Sequence, residues 1–280
     1  MLHPKDLEVI RDPLWDNIRL DRPALLALDT AAVQRLRYVR QVGHAFLVYP
    51  GATHTRFEHA LGAYHLTRRA LASLEERGEL EQVPAAECLA VRLAALLHDI
   101  GHYPFSHALE EAGFPSHEQL GVAKLGQGEL GQQLCEIGGP GFAASLGALI
   151  RGASPSPLQG LISGSLDLDK IDYLSRDARM CGVPYGTVDV DRLLATLTLV
   201  ETAPGRYEVG VLEKGVSALE SLLFDGANSA VLVRETQSRA EIRIALPQTG
   251  RLADLSVGET IAFGVAPSRV ACFAARNDGH

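Results

Sequence analysis

The run Ala90-Val-Arg-Leu-Ala-Ala-Leu-Leu97 constrains the fold more than any other stretch of this chain. All but one of its residues are apolar, and a helix apolar on nearly every side belongs inside a protein. It ends in His98-Asp99, with Gly101 breaking the pattern just beyond. An imidazole and a carboxylate delivered into an interior need partners there, and a metal ion is one such partner. Taken alone, the pair reads first as a satisfied core histidine beside an aspartate that caps the next helix, ahead of a metal site.

The chain can bury a large core: 280 residues, 46% of them hydrophobic and 21% charged. A net charge of -8 gives no general basic surface, so non-specific nucleic-acid binding is not expected. Apolar runs fall short of the roughly 20 residues of a membrane helix. The first residues lack the form of a signal peptide. The four cysteines, Cys88, Cys135, Cys181 and Cys272, show no CxxC spacing and read as free thiols in a cytoplasmic protein. The histidines carry more information, because eight of the ten fall between His44 and His117.

Taken in order, 12–20 reads as a strand pair or an extended arm, and 24–28 as a short helix. Asp29-Thr30 signals a cap for a helix over 31–40 that carries Arg35, Arg37 and Arg40, either a solvated basic face or a local anion site. A loop follows, with a short strand possible at 45–49. A long helix runs from Thr55 to about Arg77, and a second from about Pro84 to His98. A tight corner then leads to a short helix over 107–112. Residues 121–164, rich in Gly, Ala and Ser, read as a mobile or lid-like region with weak helical patterns at 128–137 and 142–151. A strong helix over 167–181 places Asp169, Asp172, Tyr173 and Arg176 on one face, as either a surface helix or the wall of a polar cleft, and composition alone slightly favours the surface helix. A helix over 190–200, with a hairpin joining 197–200 to 207–211, precedes a last helix over 213–224. Beyond about 225, period-two alternation at 231–233, 240–245, 260–265 and 270–273 predicts short strands.

His59, His98-Asp99 and Asp169 in that order resemble the H…HD…D signature of the HD-domain metal phosphohydrolases. Four blocks extend the likeness: Gln34-Arg-Leu-Arg-Tyr-Val-Arg-Gln41, Pro50-Gly-Ala-Thr-His-Thr-Arg-Phe-Glu-His59, Leu97-His-Asp-Ile-Gly-His-Tyr-Pro-Phe-Ser-His107 and Asp167-Leu-Asp-Lys-Ile-Asp-Tyr-Leu-Ser-Arg-Asp177. They look like the deoxynucleoside triphosphate triphosphohydrolase branch, which includes the SAM-and-HD-domain enzyme and bacterial dGTPases. The likeness covers about residues 5–224. It implies an HD-domain helical bundle over 1–224, and with the alternating segments beyond it the chain reads as mainly α, the bundle followed by a small all-β module over 225–280.

The resemblance also implies roles. His59, His98, Asp99 and Asp169 would hold one divalent ion, and such ligands suit Mn, Fe, Mg, Ni or Zn. His102 would sit beside the phosphates. His107, with Glu110 and His117, looks like the family's acid/base relay. Arg56, Lys170 and Tyr173 would hold the triphosphate, and Gln41 and Asp177 would meet the sugar. The implied reaction turns a deoxynucleoside triphosphate and water into deoxynucleoside and inorganic triphosphate, in a homo-oligomer. The alternatives are an HD phosphohydrolase acting on a nucleoside monophosphate or cyclic nucleotide, and a non-catalytic nucleotide sensor. A (p)ppGpp hydrolase would want an acidic pair after His98-Asp99, and Gly101-His-Tyr-Pro104 offers none.

The chain departs from the family after Phe224. An aromatic-rich stretch ending in a His-Lys-Thr-like element is expected there, and Asp225-Gly-Ala-Asn228 follows instead. Residues 250–270 look like the transport-associated oligonucleotide-binding-like module of ABC-transporter ATPases. No Walker A motif accompanies them.

Overall fold

The computed structural model describes residues 8–164, 166–184, 188–226, 230–234 and 241–245. The chain divides into two compact units, Met1–Leu222 and Leu223–His280. The expected fold class is the one found, mainly helical with a small C-terminal β region.

The first unit opens with a hairpin of β1 (Glu8–Asp12) and β2 (Asp16–Leu20), antiparallel with Ile10 opposite Ile18. Ile18 and Leu20 are buried and anchor it to the helices. Helix α1 (Arg22–Leu28) starts where Asp21 accepts from the Ala24 amide, with Pro23 in the first turn, where its missing N–H costs nothing. The expected helix over 31–40 is shorter. It is one turn, α2 (Ala31–Gln34), followed by a 3-10 turn to Tyr38. The chain leaves the helix there because Arg40 pairs with Thr55 and the Val39 carbonyl accepts from the Arg56 amide. Residues 45–47 form a 3-10 turn and not a strand; the Tyr49 amide turns back to the Ala45 carbonyl.

The core is built around α3 (Arg56–Glu76) and α4 (Ala85–Leu97), which pack together. The Glu58 carboxylate accepts from both the amide and the hydroxyl of Thr55 and so fixes the start of α3. As its composition requires, α4 is buried along most of its length from Ala90 to Leu97. Helix α5 (Ser106–Glu111) follows the His98-Asp99 corner, then α6 (His117–Leu125), α7 (Gly128–Gly138) and α8 (Phe142–Ile150).

These last three helices correct the expectation of a lid. Leu125, Leu130, Leu134, Leu146 and Leu149 are buried, α8 packs on α4 and α6, and α7 packs on α1. Small residues serve close packing here and not mobility. A Cβ on Gly101 would lie 1.8 Å from the His117 carbonyl oxygen, so the start of α6 rests on that corner.

Helix α9 (Leu168–Cys181) crosses α3. It is the wall of a polar site and not a surface helix, since Asp172 and Arg176 are fully buried. The helix expected over 190–200 ends earlier, as α10 (Val190–Ala195). The Thr196 hydroxyl caps carbonyls of that last turn, and the chain enters β3 (Leu197–Ala203), paired antiparallel with β4 (Arg206–Val211) as the hairpin reading expected. Helix α11 (Val216–Gly226) follows.

In the second unit, β5 (Ala230–Arg234) and β6 (Glu241–Ala245) form an antiparallel hairpin. The strands expected at 260–265 and 270–273, and the transporter-module likeness at 250–270, lie outside the described residues. Cys88, Cys135 and Cys181 are free thiols. Among the described residues no helix is long and apolar enough to cross a membrane.

Candidate metal centre

Three helices meet at the floor of a cleft of about 720 Å3. The first turn of α3 contributes His59, the end of α4 contributes His98 and then Asp99, and the first turn of α9 contributes Asp169. The His59 Nδ1 lies 2.7 Å from Asp172 Oδ2, and the His98 Nδ1 lies 2.8 Å from the Ala95 carbonyl oxygen. Both partners accept, so each ring donates from Nδ1 and presents Nε2 as the atom that a metal would take once its proton is displaced. The two Nε2 atoms are 3.2 Å apart. Asp169 Oδ1 lies 2.5 Å from the first and 3.1 Å from the second. Three ligand atoms so close repel one another unless a positive charge, a proton or a metal ion, lies among them.

The charges express the same demand. Burial alone would lower the His98 imidazole, but Asp99 and Asp169 outweigh it and raise it to about 9. His59 is likewise lifted against burial, by Asp169 and Asp172. Burial opposes ionisation of Asp169, yet His98 and His59 hold its carboxyl well below the usual range. Asp99 stands at the edge of the triplet, with Oδ1 3.4 Å from His98 Nε2 and Oδ2 3.8 Å from His59 Nε2. Its Oδ2 also accepts from Arg56 at 2.7 Å, and its Oδ1 lies 3.1 Å from His102 Nε2. His59, His98 and Asp169, with Asp99 beside them, could hold a divalent ion.

Behind the floor runs a buried chain of charge. Arg176 donates from Nε and Nη2 to the two oxygens of Asp172, each at 2.9 Å, and from Nη1 to Asp12 Oδ2 at 2.9 Å. The Trp15 indole N–H donates to Asp172 as well. Asp12 Oδ1 accepts from the amides of Leu14 and Trp15 in the turn of the N-terminal hairpin. Gly62 lets α9 approach, because a Cβ there would lie 1.7 Å from Asp172 Oδ1.

Above the floor, His102 stacks on His117 with centroids 3.8 Å apart and planes at 13°. His117 bonds Glu110 twice, through Nδ1 at 2.8 Å and the backbone amide at 2.7 Å. His107 Nδ1 lies 3.5 Å from the other Glu110 oxygen. Burial and the charges of Asp99 and Arg56 act on His102, with burial prevailing, and bring it down to about 4.

Of the residues singled out from sequence, Gln41, Arg56, His98, Asp99, His102, His107, His117, Asp169, Tyr173 and Asp177 line the cleft. His59, buried, reaches the floor group through its Nε2 without itself lining the cleft, and Glu110 supports the histidines. Lys170 is not among the lining residues. The three arginines of 35–40 do not form one basic face. Arg35 donates to the Ile100 and His102 carbonyls at 2.8 and 2.6 Å, Arg37 lies over the Phe57 ring, and Arg40 lies over Phe46 and lines the cleft.

Sequence reasoning passed over several residues. Buried His54 holds Asp177 at 2.7 Å. Asp167 caps α9 and lines the cleft, and burial together with Asp169 raises its carboxyl to about 8. His44 and Phe105 stack at 4.4 Å on the cleft wall, with Phe105 at φ +63°. Only Asp167 carried a local signal, a carboxylate one residue before a helical run.

A family model described as the HD domain matches residues 56–177, which span all four floor residues. Residues 56–177 are an HD domain. The chain is 39% identical over 218 residues to MJ1154, an uncharacterized protein of Methanocaldococcus jannaschii, covering 78% of this chain and 43% of that one. Over 129 residues it is 39% identical to the human deoxynucleoside triphosphate triphosphohydrolase SAMHD1, covering 43% of this chain and 21% of that protein. Among solved structures, a phosphohydrolase of Bacteroides thetaiotaomicron superposes with a TM-score of 0.68 at 31% identity, over 78% of this chain and 52% of the other. The chain spans about half the length, or less, of the curated relatives it matches.

Proposed function

We propose that this chain hydrolyses deoxynucleoside triphosphates to deoxynucleoside and inorganic triphosphate at a divalent metal ion held by His59, His98, Asp99 and Asp169. The observation that carries the reading is the convergence of His59 Nε2, His98 Nε2 and Asp169 Oδ1 at the floor of a cleft. The partial likeness to SAMHD1 supports the substrate class.

A bound divalent ion supplies polarisation of a phosphate and a water of lowered pKa. The chain's own groups do the rest. Arg56, fixed by Asp99, turns its remaining N–H groups to phosphate oxygens. Tyr173, on the same wall as Asp169, adds a hydroxyl donor. Gln41 Oε1 is buried without a partner and lines the cleft, so it suits a sugar hydroxyl. Asp177, oriented by His54, offers a second acceptor. His102 lies between Asp99 and the relay. His107, with its Nδ1 toward Glu110 and His117 alongside, protonates the leaving ribose oxygen. The same reading carries a homo-oligomer and a cytoplasmic setting.

One observation favours a second reading. Lys170 stands outside the cleft lining, which leaves fewer cations for a triphosphate and suits a shorter phosphate ester, such as a nucleoside monophosphate. A panel of deoxynucleoside triphosphates, monophosphates and cyclic nucleotides with Mn or Mg, read by the phosphate species released, separates the two. Chelator-sensitive triphosphate is the expected product. Orthophosphate from a monophosphate, with no triphosphate from any member of the panel, would install the second reading. His98→Ala should lose floor metal and turnover together. His107→Ala should keep the floor metal and lose turnover.

A further inference from the structure

The group around Glu110 holds more than a proton relay needs. A relay requires one imidazole oriented by one carboxylate. Here two imidazoles present the same atom to one carboxylate: His117 Nδ1 lies 2.8 Å from Glu110 Oε1, and His107 Nδ1 lies 3.5 Å from Oε2. The two rings stand nearly perpendicular, at 86°, with centroids 5.4 Å apart. One ring nitrogen of each histidine and a Glu110 oxygen all lie within 4.8 Å of one another. The sequence builds this from His107 and Glu110 one turn apart on α5 and from His117 at the start of α6. His102, stacked on His117, walls the inner side, while the His107 side chain is 67% exposed and leaves the outer side open to water.

We propose a second metal site formed by His107, Glu110 and His117, for a divalent ion of borderline softness such as Zn2+, with water in the remaining position. Two imidazoles and one carboxylate with an open place are a ligand set that zinc accepts. None of the three belongs to the floor group of His59, His98 and Asp169. Asp99 and His102 make a poorer choice of partners for His117, because Asp99 is already joined to Arg56 and faces the floor histidines. Binding through Nδ1 moves the His117 ring proton to Nε2 and strips any proton from His107 Nδ1. If the chemistry is the one proposed above, this ion inhibits it by occupying the relay; the site itself does not depend on that chemistry.

Equilibrium dialysis of the full chain against Zn2+, with bound metal counted by mass spectrometry, tests the site without an activity assay. Wild type should bind one equivalent more than either His107→Ala or Glu110→Gln. His107→Ala changes a side chain that is mostly in water, so the fold is retained. His98→Ala should lose the floor ion and keep the second. The absorption spectrum of bound Co2+ should then report nitrogen and oxygen ligands, and His107→Ala added to His98→Ala should abolish it. Equal zinc content in wild type and His107→Ala overturns the proposal, as does a cobalt spectrum that survives in the double variant. Failure of every nucleotide in the substrate panel would remove the inhibitory consequence and leave the zinc count unchanged.

Discussion

Asp172 Oδ2 lies 2.7 Å from His59 Nδ1 and so decides which nitrogen of that ring faces the cleft. The same carboxylate is held by Arg176 and Trp15, and Arg176 is held by Asp12. Asp172→Asn keeps the shape and removes the charge. Floor metal affinity should fall by roughly 10- to 100-fold, the usual effect of losing a partner behind a ligand. Leaving Arg176 short of its carboxylate should cost about 3 kcal/mol or more. Isothermal titration with Mn and a chemical denaturation curve check the two parts. Unchanged metal affinity would mean that Asp172 does not orient His59.

Metal binding should release a proton at neutral pH. Without metal, His98 is raised to about 9, burial opposing and Asp99 and Asp169 prevailing, and the ion must displace that proton. Affinity should therefore climb by at least about tenfold per pH unit below about 9, and displacement of a proton from the raised His59 adds to that slope. The stability of the metal-free chain runs the other way. Protonated His98 stabilises the fold fully below its unfolded value of about 6.5, and that contribution is lost as pH rises toward about 9. Titrations in buffers of different ionisation enthalpy, and melts with and without metal, read the two slopes.

Leu146→Ala should destabilise the first unit by about 2–5 kcal/mol, as in a packed core. A mobile lid would lose almost nothing. Urea unfolding followed by circular dichroism distinguishes them.

Gly101→Ala should move α6. The added Cβ meets the His117 carbonyl oxygen at 1.8 Å and the Gly121 amide nitrogen at 2.4 Å, both backbone atoms with nowhere to yield. A loss of roughly 1–3 kcal/mol is expected, with displaced His117 ring resonances in NMR spectra. A variant as stable as wild type, with its His117 signals unmoved, would show that the corner has slack.

Much of the site was legible because its signals are local. The apolar run of α4 ends at His98, the α3 cap sits four residues before His59, and Asp167 caps the turn holding Asp169. What stayed hidden depends on distant partners. The spacing of Asp172 and Arg176 was visible, but their burial was not, because Asp12 lies 164 residues before Arg176 in the chain. The small residues of 121–164 look alike whether they loosen a segment or let helices touch, and Gly101 against α6 decides for contact. The early end of the helix after Thr30 came from pairing with Thr55, which helix periodicity does not register.

The Asp12–Arg176 bond also sets an order of events during synthesis. The β1–β2 hairpin leaves the ribosome well before α9, so its buried carboxylate has no cation until α9 has been made. Until then Asp12 must stay in water, since a lone charge is not taken into an interior. A strand made early is thus fastened late, and a nascent chain stopped before Arg176 should hold neither a locked hairpin nor an oriented His59.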